Sequence, residues 1–305
     1  MFTGISLLLR YTLKRDFIKI LLWVSILSVF VSVYVPAFEE ISAGDGQRAL
    51  FETLQNPAMT AIVGPTVATT SEEYTLGAMY AHEMLLFSSV VAMIIAALHA
   101  IKHTRGAEDN GIREVLLSYP LGQNTNSVSL LIESIMIHNA IWIVSTAIMR
   151  SFQIEAFPID GIVLFNLVIA LAGILGTSIG LLMSQLLPTS QTVMTASLSF
   201  IGLLYIARGL TDIAYHQLSY VNPLAWLYLT YPFTENNYIW IIALLGLIIL
   251  FIVVMFTIER SRPLNASMIQ FKAPQHKRLY TINSILGWSW SMNRFTVICW
   301  TISYI

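Results

Sequence analysis

Three ionisable side chains stand within long apolar stretches, His99, Glu133 and His138, with Asn139 and Asn166 as polar neighbours. An imidazole and a carboxylate can hold a proton, ligate a metal or meet a polar cargo. Inside a membrane segment such groups are costly to bury and so mark function by default. Glu133 and His138 are five residues apart, which turns them away from each other on one helix and disfavours a shared metal. His99 lies one turn from the end of its segment, where a neutral imidazole is expected to reach headgroups. The functional reading of His99, Glu133, His138 and Asn166 is a path for a cargo, and the plainer one is ordinary structural polarity.

A second cluster runs from Lys102 to Gln123, KHTRGAEDNGIREVLLSYPLGQ, a charged island between two apolar segments. From about Glu108, the apolar residues Ile112, Val115, Leu116 and Tyr119 fall at i, i+3, i+4 and i+7, one stripe of a short helix. Glu108 and Asp109 suit a helix N-terminus, and Pro120 with Gly122 gives a stop. The stretch is either a solvated loop or a docking helix for a soluble partner. It carries no nucleotide chemistry, because no G-x-x-x-x-G-K-[ST] loop occurs anywhere in the chain. The H-E-x-x-H and EF-hand patterns are also absent, and one cysteine, Cys299, excludes an intrachain disulfide framework or a cysteine zinc cluster.

The elements that position these groups are membrane spans. The 305 residues are 56% hydrophobic and 11% charged, with a mean hydropathy of +0.71; a soluble domain has about 25% charged residues. Spans of about 20 apolar residues are expected near 17–36, 83–101, 128–148, 161–187, 192–207 and 238–258. The fold class is therefore all-α, polytopic, with six transmembrane helices. Residues 3–17 read as an interfacial helix, with Ile5, Leu8, Leu9 and Thr12 on one face. This start lacks the h-region and cleavage site of a secretory signal, so the N-terminus is expected to be retained. Residues 38–80 read as a turn-rich external loop, and 208–237 as a re-entrant or interfacial pair of short helices. In the fourth span Gly173 with Thr177, and Gly176 with Gly180, are small residues four apart that favour close packing. Thirteen Lys and Arg fall on the side of the termini and the charged island, against Arg48, Arg150 and Arg208 on the other. That bias places the termini and the island in the cytoplasm of a plasma-membrane protein. Net charge of −1 gives no reason to expect nucleic acid.

The run RGAEDNGIREVLLSYPLGQ resembles the cytoplasmic coupling helix of type-two ABC exporter permeases, with its acid-rich turn, glycine, Glu-x-Leu-Leu-like core and Pro-x-Gly-like exit. The resemblance is closest to the polyketide antibiotic exporter branch. ALFETLQNPAMTAIVGP and the order Arg208, Asp212, Asn222, Pro223, Trp226, Pro232, Phe233 are similar to that branch's external segments. The resemblance implies a permease with no cofactor of its own, driven by a separate ABC ATPase that binds ATP and Mg. Arg105, Glu108, Asp109, Gly111, Ile112, Arg113, Glu114, Val115 and Leu116 would form the ATPase-coupling surface, and Asn222, Pro223 and Trp226 an external gate. The implied cargo is a small hydrophobic or amphipathic compound, antibiotic or lipid-like. Two other classes stay open: a membrane-embedded enzyme on a lipid-soluble substrate, and a non-transporting sensor or immunity subunit.

The end of the chain, INSILGWSWSMNRFTVICWTISYI, echoes the start, ISLLLRYTLKRDFIKILLWVSIL. The expected division is a six-span permease half over 1–262 and, over 263–305, a cytoplasmic linker and the opening of an incomplete second half. The resemblance covers the whole chain and about half the family's usual length. From Phe295 onward the last eleven residues, too short to span, are expected to lie along the inner leaflet as an amphipathic helix. The resemblance implies two coupling helices per exporter, so two expectations follow for a chain with one: a second copy or a separate half restores the pair, or the chain is the remnant of a longer reading frame and is inactive. The topology is testable by single cysteines in a Cys299→Ser background. Cysteines at Asp45 and Thr234 should react with an impermeant thiol reagent outside intact cells and one at Asn110 should not; labelling at Asn110 contradicts the six-span arrangement.

Overall fold

A computed structural model describes residues 3–42, 45–122, 124–261, 267–269 and 285–303. Among the described residues the chain is helical, with no strand, and six helices are long and apolar enough to cross a membrane. They are α2 (Phe17–Val33, continued by α3, Val35–Ser42), α6 (Leu76–His103), α9 (Thr125–Ser151), α10 (Ile159–Leu186), α11 (Ser190–Ala214) and α14 (Ile239–Ser261). Large apolar side chains stay exposed along their outer faces, including Leu22 and Ile26 on α2, Leu203 and Ile206 on α11, and Ile242 and Ile249 on α14. Only lipid accommodates such a surface. The chain is a multi-pass membrane protein.

The centre is α10, whose most apolar stretch is 83% buried, against 22% for α14. Its small residues set how near its neighbours come. A Cβ on Gly176 would sit 2.1 Å from the Met93 carbonyl oxygen, and one on Gly180 would sit 2.7 Å from that of Ala97, both on α6. On the adjoining face Gly173 receives the His138 ring of α9, and Thr177 Oγ1 lies 2.7 Å from Ser134 Oγ. Both small-residue pairs expected from the sequence are thus contact faces, one toward α6 and one toward α9.

Residues 38–80 are more ordered than a turn-rich loop. Beyond α3 they form α4 (Gly46–Leu54), α5 (Pro57–Val63) and the start of α6. Asn56-Pro57 is a helix start rather than a turn: the Asn56 side chain accepts from Ala58 N at 2.9 Å and Pro57 takes the first position. Tyr74 Oη donates to His82 Nδ1 (2.9 Å), and His82 Nε2 donates to the Gly64 carbonyl (2.7 Å), tying the stretch before α6 down onto it.

The fifth span also corrects the expectation. It continues past Ala207 to Ala214, so Arg208 and Asp212 lie on α11 rather than in the separate re-entrant or interfacial pair of short helices expected over 208–237. Charge made 207 look like an end, but the two residues are one turn apart and neutralise each other within the helix. Two four-residue helices follow, α12 (His216–Ser219) and α13 (Ala225–Tyr228). Tyr231, Phe233 and Asn236 then take left-handed φ values of 42°, 66° and 48°, a costly conformation for residues with a Cβ. It wedges Phe233 against Gly77 and Gly161, where added Cβ atoms would meet it at 2.8 and 2.3 Å.

Residues Met1–Ile269 form one compact unit and Gln270–Ile305 a second. In the second, α15 (Ile285–Ser303) is a single helix of 19 residues that begins ten before Phe295, so the eleven-residue piece expected at the end is only part of it. It is not among the helices apolar enough to span, since Asn293 and Arg294 interrupt it.

Gly176→Ala should lower the thermal unfolding temperature of the detergent-solubilised protein, an overpacking cost of about 1–3 kcal/mol, because backbone on α6 cannot yield. Gly246→Ala, with nothing within 4 Å, should leave it unchanged. Equal effects would contradict close helix contact at Gly176.

Candidate functional site

The charged island folds as two short helices, not one. At Thr104 the chain kinks out of α6 into α7 (Arg105–Asp109); Gly111, at φ 69°, breaks it again before α8 (Ile112–Leu117). Tyr119 therefore falls outside the helix that carries Ile112, Val115 and Leu116. The carboxylate of Glu108 is bridged by Arg105 and Arg113, all three side chains being nearly buried. Arg105 also donates from Nε to the Ser184 carbonyl at 2.9 Å, in the last turn of α10. Asp109 does sit at a helix N-terminus, but that of α11: its Oδ2 accepts from Ser190 N at 2.7 Å. These bonds attach α7 to the ends of two spans while its chain continues a third.

On α8, Ile112 and Val115 are 44% and 63% exposed, Glu114 is exposed and Leu116 is half-buried. Ile112, Val115 and Leu116 line a groove of about 790 Å³ whose other wall is α1 (Ile5–Arg15), with Leu7, Tyr11, Arg10 and Lys14. α1 buries Leu8 and Thr12, two residues of the face read from the sequence, and packs on α2 and α9. The Thr3 carbonyl accepts from Gly122 N (3.1 Å) and Thr125 Oγ1 (2.9 Å), closing the ledge at its far end.

In the bundle interior, three of the four residues read as a path come together. His99 turns inward rather than to headgroups, its Nε2 3.6 Å from Glu133 Oε1. Trp23 of α2 joins His99 to His138, with ring centroids 5.5 and 5.3 Å apart. His138 donates from Nδ1 to the Ser134 carbonyl (2.8 Å), so its Nε2 is bare, and it lies against Gly173 without a hydrogen-bond partner. Asn166 is not with them. It bonds Ile162 O and the Met149 sulfur, seven residues or about 10 Å along α10 from Gly173. Trp23 was missed because an apolar span with one Trp carries no signal of a polar neighbour.

At the opposite end, Arg208 is fully buried. It donates to Asp212 Oδ2 (3.0 Å) and to the carbonyls of Ala61 and Ile62 (2.6 and 2.9 Å), which end α5. Ser219 and Tyr228 donate to Asp212 Oδ1 at 2.5 and 2.6 Å. Burial first, then the bond to Asp212, pushes the Tyr228 phenol above its ordinary value, so it remains a donor. Asn222 ties this segment to α11 through the Leu204 carbonyl (2.8 Å) and turns it at Pro223 by accepting from Leu224 N (2.9 Å). Trp226 donates to the Tyr220 carbonyl (2.7 Å), and Tyr220, Trp240 and Trp226 stack.

Between α1 and α2, Asp16 is buried, which alone would raise its carboxyl. Hydrogen bonds from Lys19 and Arg15 (2.7–2.9 Å) outweigh burial and hold it at about 2, below the ordinary 3.8. A folded-state value below the unfolded one stabilises above about pH 4 and is lost as pH falls toward 2. Asp16→Asn should therefore be less stable than the parent at neutral pH, with the gap closing on acidification to about pH 2. Thermal unfolding across that range checks it; a gap that widens in acid contradicts it.

No family model matches the chain. Along 99% of its length it is similar, at 25% identity over 307 aligned residues, to the multidrug efflux system permease protein Rv1217c of Mycobacterium tuberculosis. The match takes in 54% of that protein, so the chain spans about half the length of its curated relative.

Proposed function

We propose that this chain is a permease half of an ATP-driven exporter in the plasma membrane, moving hydrophobic or amphipathic compounds. The observation that carries the reading is the α7–α8 ledge. It offers exposed apolar side chains, Ile112 and Val115, on a support bonded to α10 through Ser184 and to α11 through Ser190. A force on α8 therefore reaches α6, α10 and α11 together, which is what a separate ATPase would need to drive alternating access. The similarity of this chain to about half of an efflux permease supports the cargo class, and the basic bias supports a cytoplasmic ledge.

Within this reading Ile112, Val115 and Leu116 fill an apolar groove of the ATPase and Glu114 adds a polar contact. Arg105, Glu108 and Arg113, turned toward one another, hold the ledge's shape, and Asp109 couples it to α11. Gly111 supplies the break that presents α8. Asn222, Pro223 and Trp226 brace the outer segment against α11, where it gates the exit. A second copy or a separate half supplies the second coupling helix. ATP and Mg bind on the ATPase.

Replacing both Val115 and Leu116 with Asp should abolish recovery of the ATPase with the permease while the permease stays inserted, since an apolar contact leaves the new carboxylates unpaired. Co-purification before and after the change measures it, and unaltered ATPase recovery would sink the docking role.

A further inference from the structure

A series of titratable side chains leads from the α1 end of the bundle to a carboxylate in its interior. Glu133 is 1% exposed, and neither of its carboxylate oxygens has a hydrogen-bond partner. Its titratable neighbour is His99, whose Nε2, at 3.6 Å, is also buried and without a hydrogen-bond partner. One turn along α6, the His103 ring lies 4.5 Å from that of His99. Arg15 Nη2 is 2.7 Å from His103 Nδ1. A guanidinium only donates, so Nδ1 is the bare nitrogen and Nε2 carries the hydrogen toward Asp16 Oδ2, at 3.6 Å. Asp16 is paired with Arg15 and Lys19, whose side chains are 34% and 66% exposed and reach the surface.

The surroundings of Glu133 decide what it binds. The charged and titratable groups of the elements around it are Arg10, Lys14 and Arg15 on α1, Asp16 and Lys19 at the α1–α2 junction and on α2, and His99, Lys102 and His103 on α6. Its own helix adds His138, and α10 has no titratable side chain from Gly161 to Leu186. Glu259 of α14 accepts from Ser127, nearly two turns away. The cations are thus engaged by Asp16 or lie at the surface, and none reaches the Glu133 carboxylate. An ionised carboxylate buried without a partner is strongly disfavoured, and the ligand that relieves it in so closed a space is a proton.

We propose that Glu133 is a proton-binding site within the membrane, filled from the α1 end of the bundle through His103 and His99. Hydronium at that end gives up a proton from an O–H bond to the bare Nδ1 of His103, from which the Arg15 guanidinium moves away. His103 then loses an N–H proton to His99, and His99 Nε2 loses one to Glu133 Oε1, each of these two steps breaking one N–H bond and making one N–H or O–H bond. Both rings end neutral, and no electron changes owner. The site would make the α2, α6 and α9 packing around Trp23 responsive to pH on that side. It stands without the ATPase, so its failure leaves the docking reading untouched.

The test uses the full chain in phosphatidylcholine vesicles. Infrared spectra at about pH 5 should contain a neutral-carboxyl band that Glu133→Gln removes. On transfer to D2O the band should shift, and the shift should be on the order of a hundredfold slower in His99→Gln and His103→Gln. As a second measurement, the part of the tryptophan emission lost in Trp23→Phe should change on acidification from about pH 8 to about pH 5, as the packing of α2, α6 and α9 around the indole responds to the proton on Glu133. That change is read in the parent chain and in Trp23→Phe, so it stands even where Glu133→Gln fails to insert. A band unchanged by Glu133→Gln, exchange equally fast without either histidine, or Trp23 emission indifferent to pH overturns the proposal.

Discussion

The contact between α10 and α6 is set by atoms that are absent. At Gly176 and Gly180 the missing Cβ atoms let the Met93 and Ala97 carbonyl oxygens come within 2.1 and 2.7 Å of where those atoms would be. Lipid is as apolar as a side chain, so burial in a bilayer supplies little force between helices, and close van der Waals contact must do so instead. Much else follows from that approach. It brings Ser184, at the end of α10, within reach of Thr104 and Arg105 at the end of α6, and so places the α7 ledge. On the neighbouring face Gly173 makes room for His138, which brings α9, Trp23 and His99 into one buried cluster.

A second constraint is that the bundle leaves few charges without an answer. Arg208 is met by Asp212 and by the last carbonyls of α5, so one side chain closes a short helix and ties it to α11. Asp16 is met by Arg15 and Lys19, and Glu108 by two arginines. Among these, Glu133 differs in having a histidine at 3.6 Å and no hydrogen bond. That contrast separates the groups that hold the fold from the group able to change state.

The spans were legible because a bilayer demands long apolar runs, and the six runs in the sequence are the six long helices. Their ends were less so. Apolar counting stops at a charge, so it ended the fifth span before Arg208 and could not see the partner one turn on. It read Asn56-Pro57 as punctuation where the pair caps and opens α5. The charged island showed its apolar stripe but not its break, since Gly111 is compatible with either a continuous or an interrupted helix until Arg113 folds back on Glu108. The meeting of His99 with Glu133 depends on how α6 lies against α9, which no single-helix periodicity carries.

These constraints give the molecule a braced ledge at one end of the bundle, a segment bonded to α11 at the other and a tight core between them. The most direct test is transport itself. Inverted membrane vesicles containing the chain, with or without a separately supplied candidate ABC ATPase, would be given a fluorescent amphipathic compound. Accumulation that requires ATP hydrolysis and this chain together is the predicted result. Accumulation or chemical conversion of the compound that proceeds equally without ATP would contradict the exporter account.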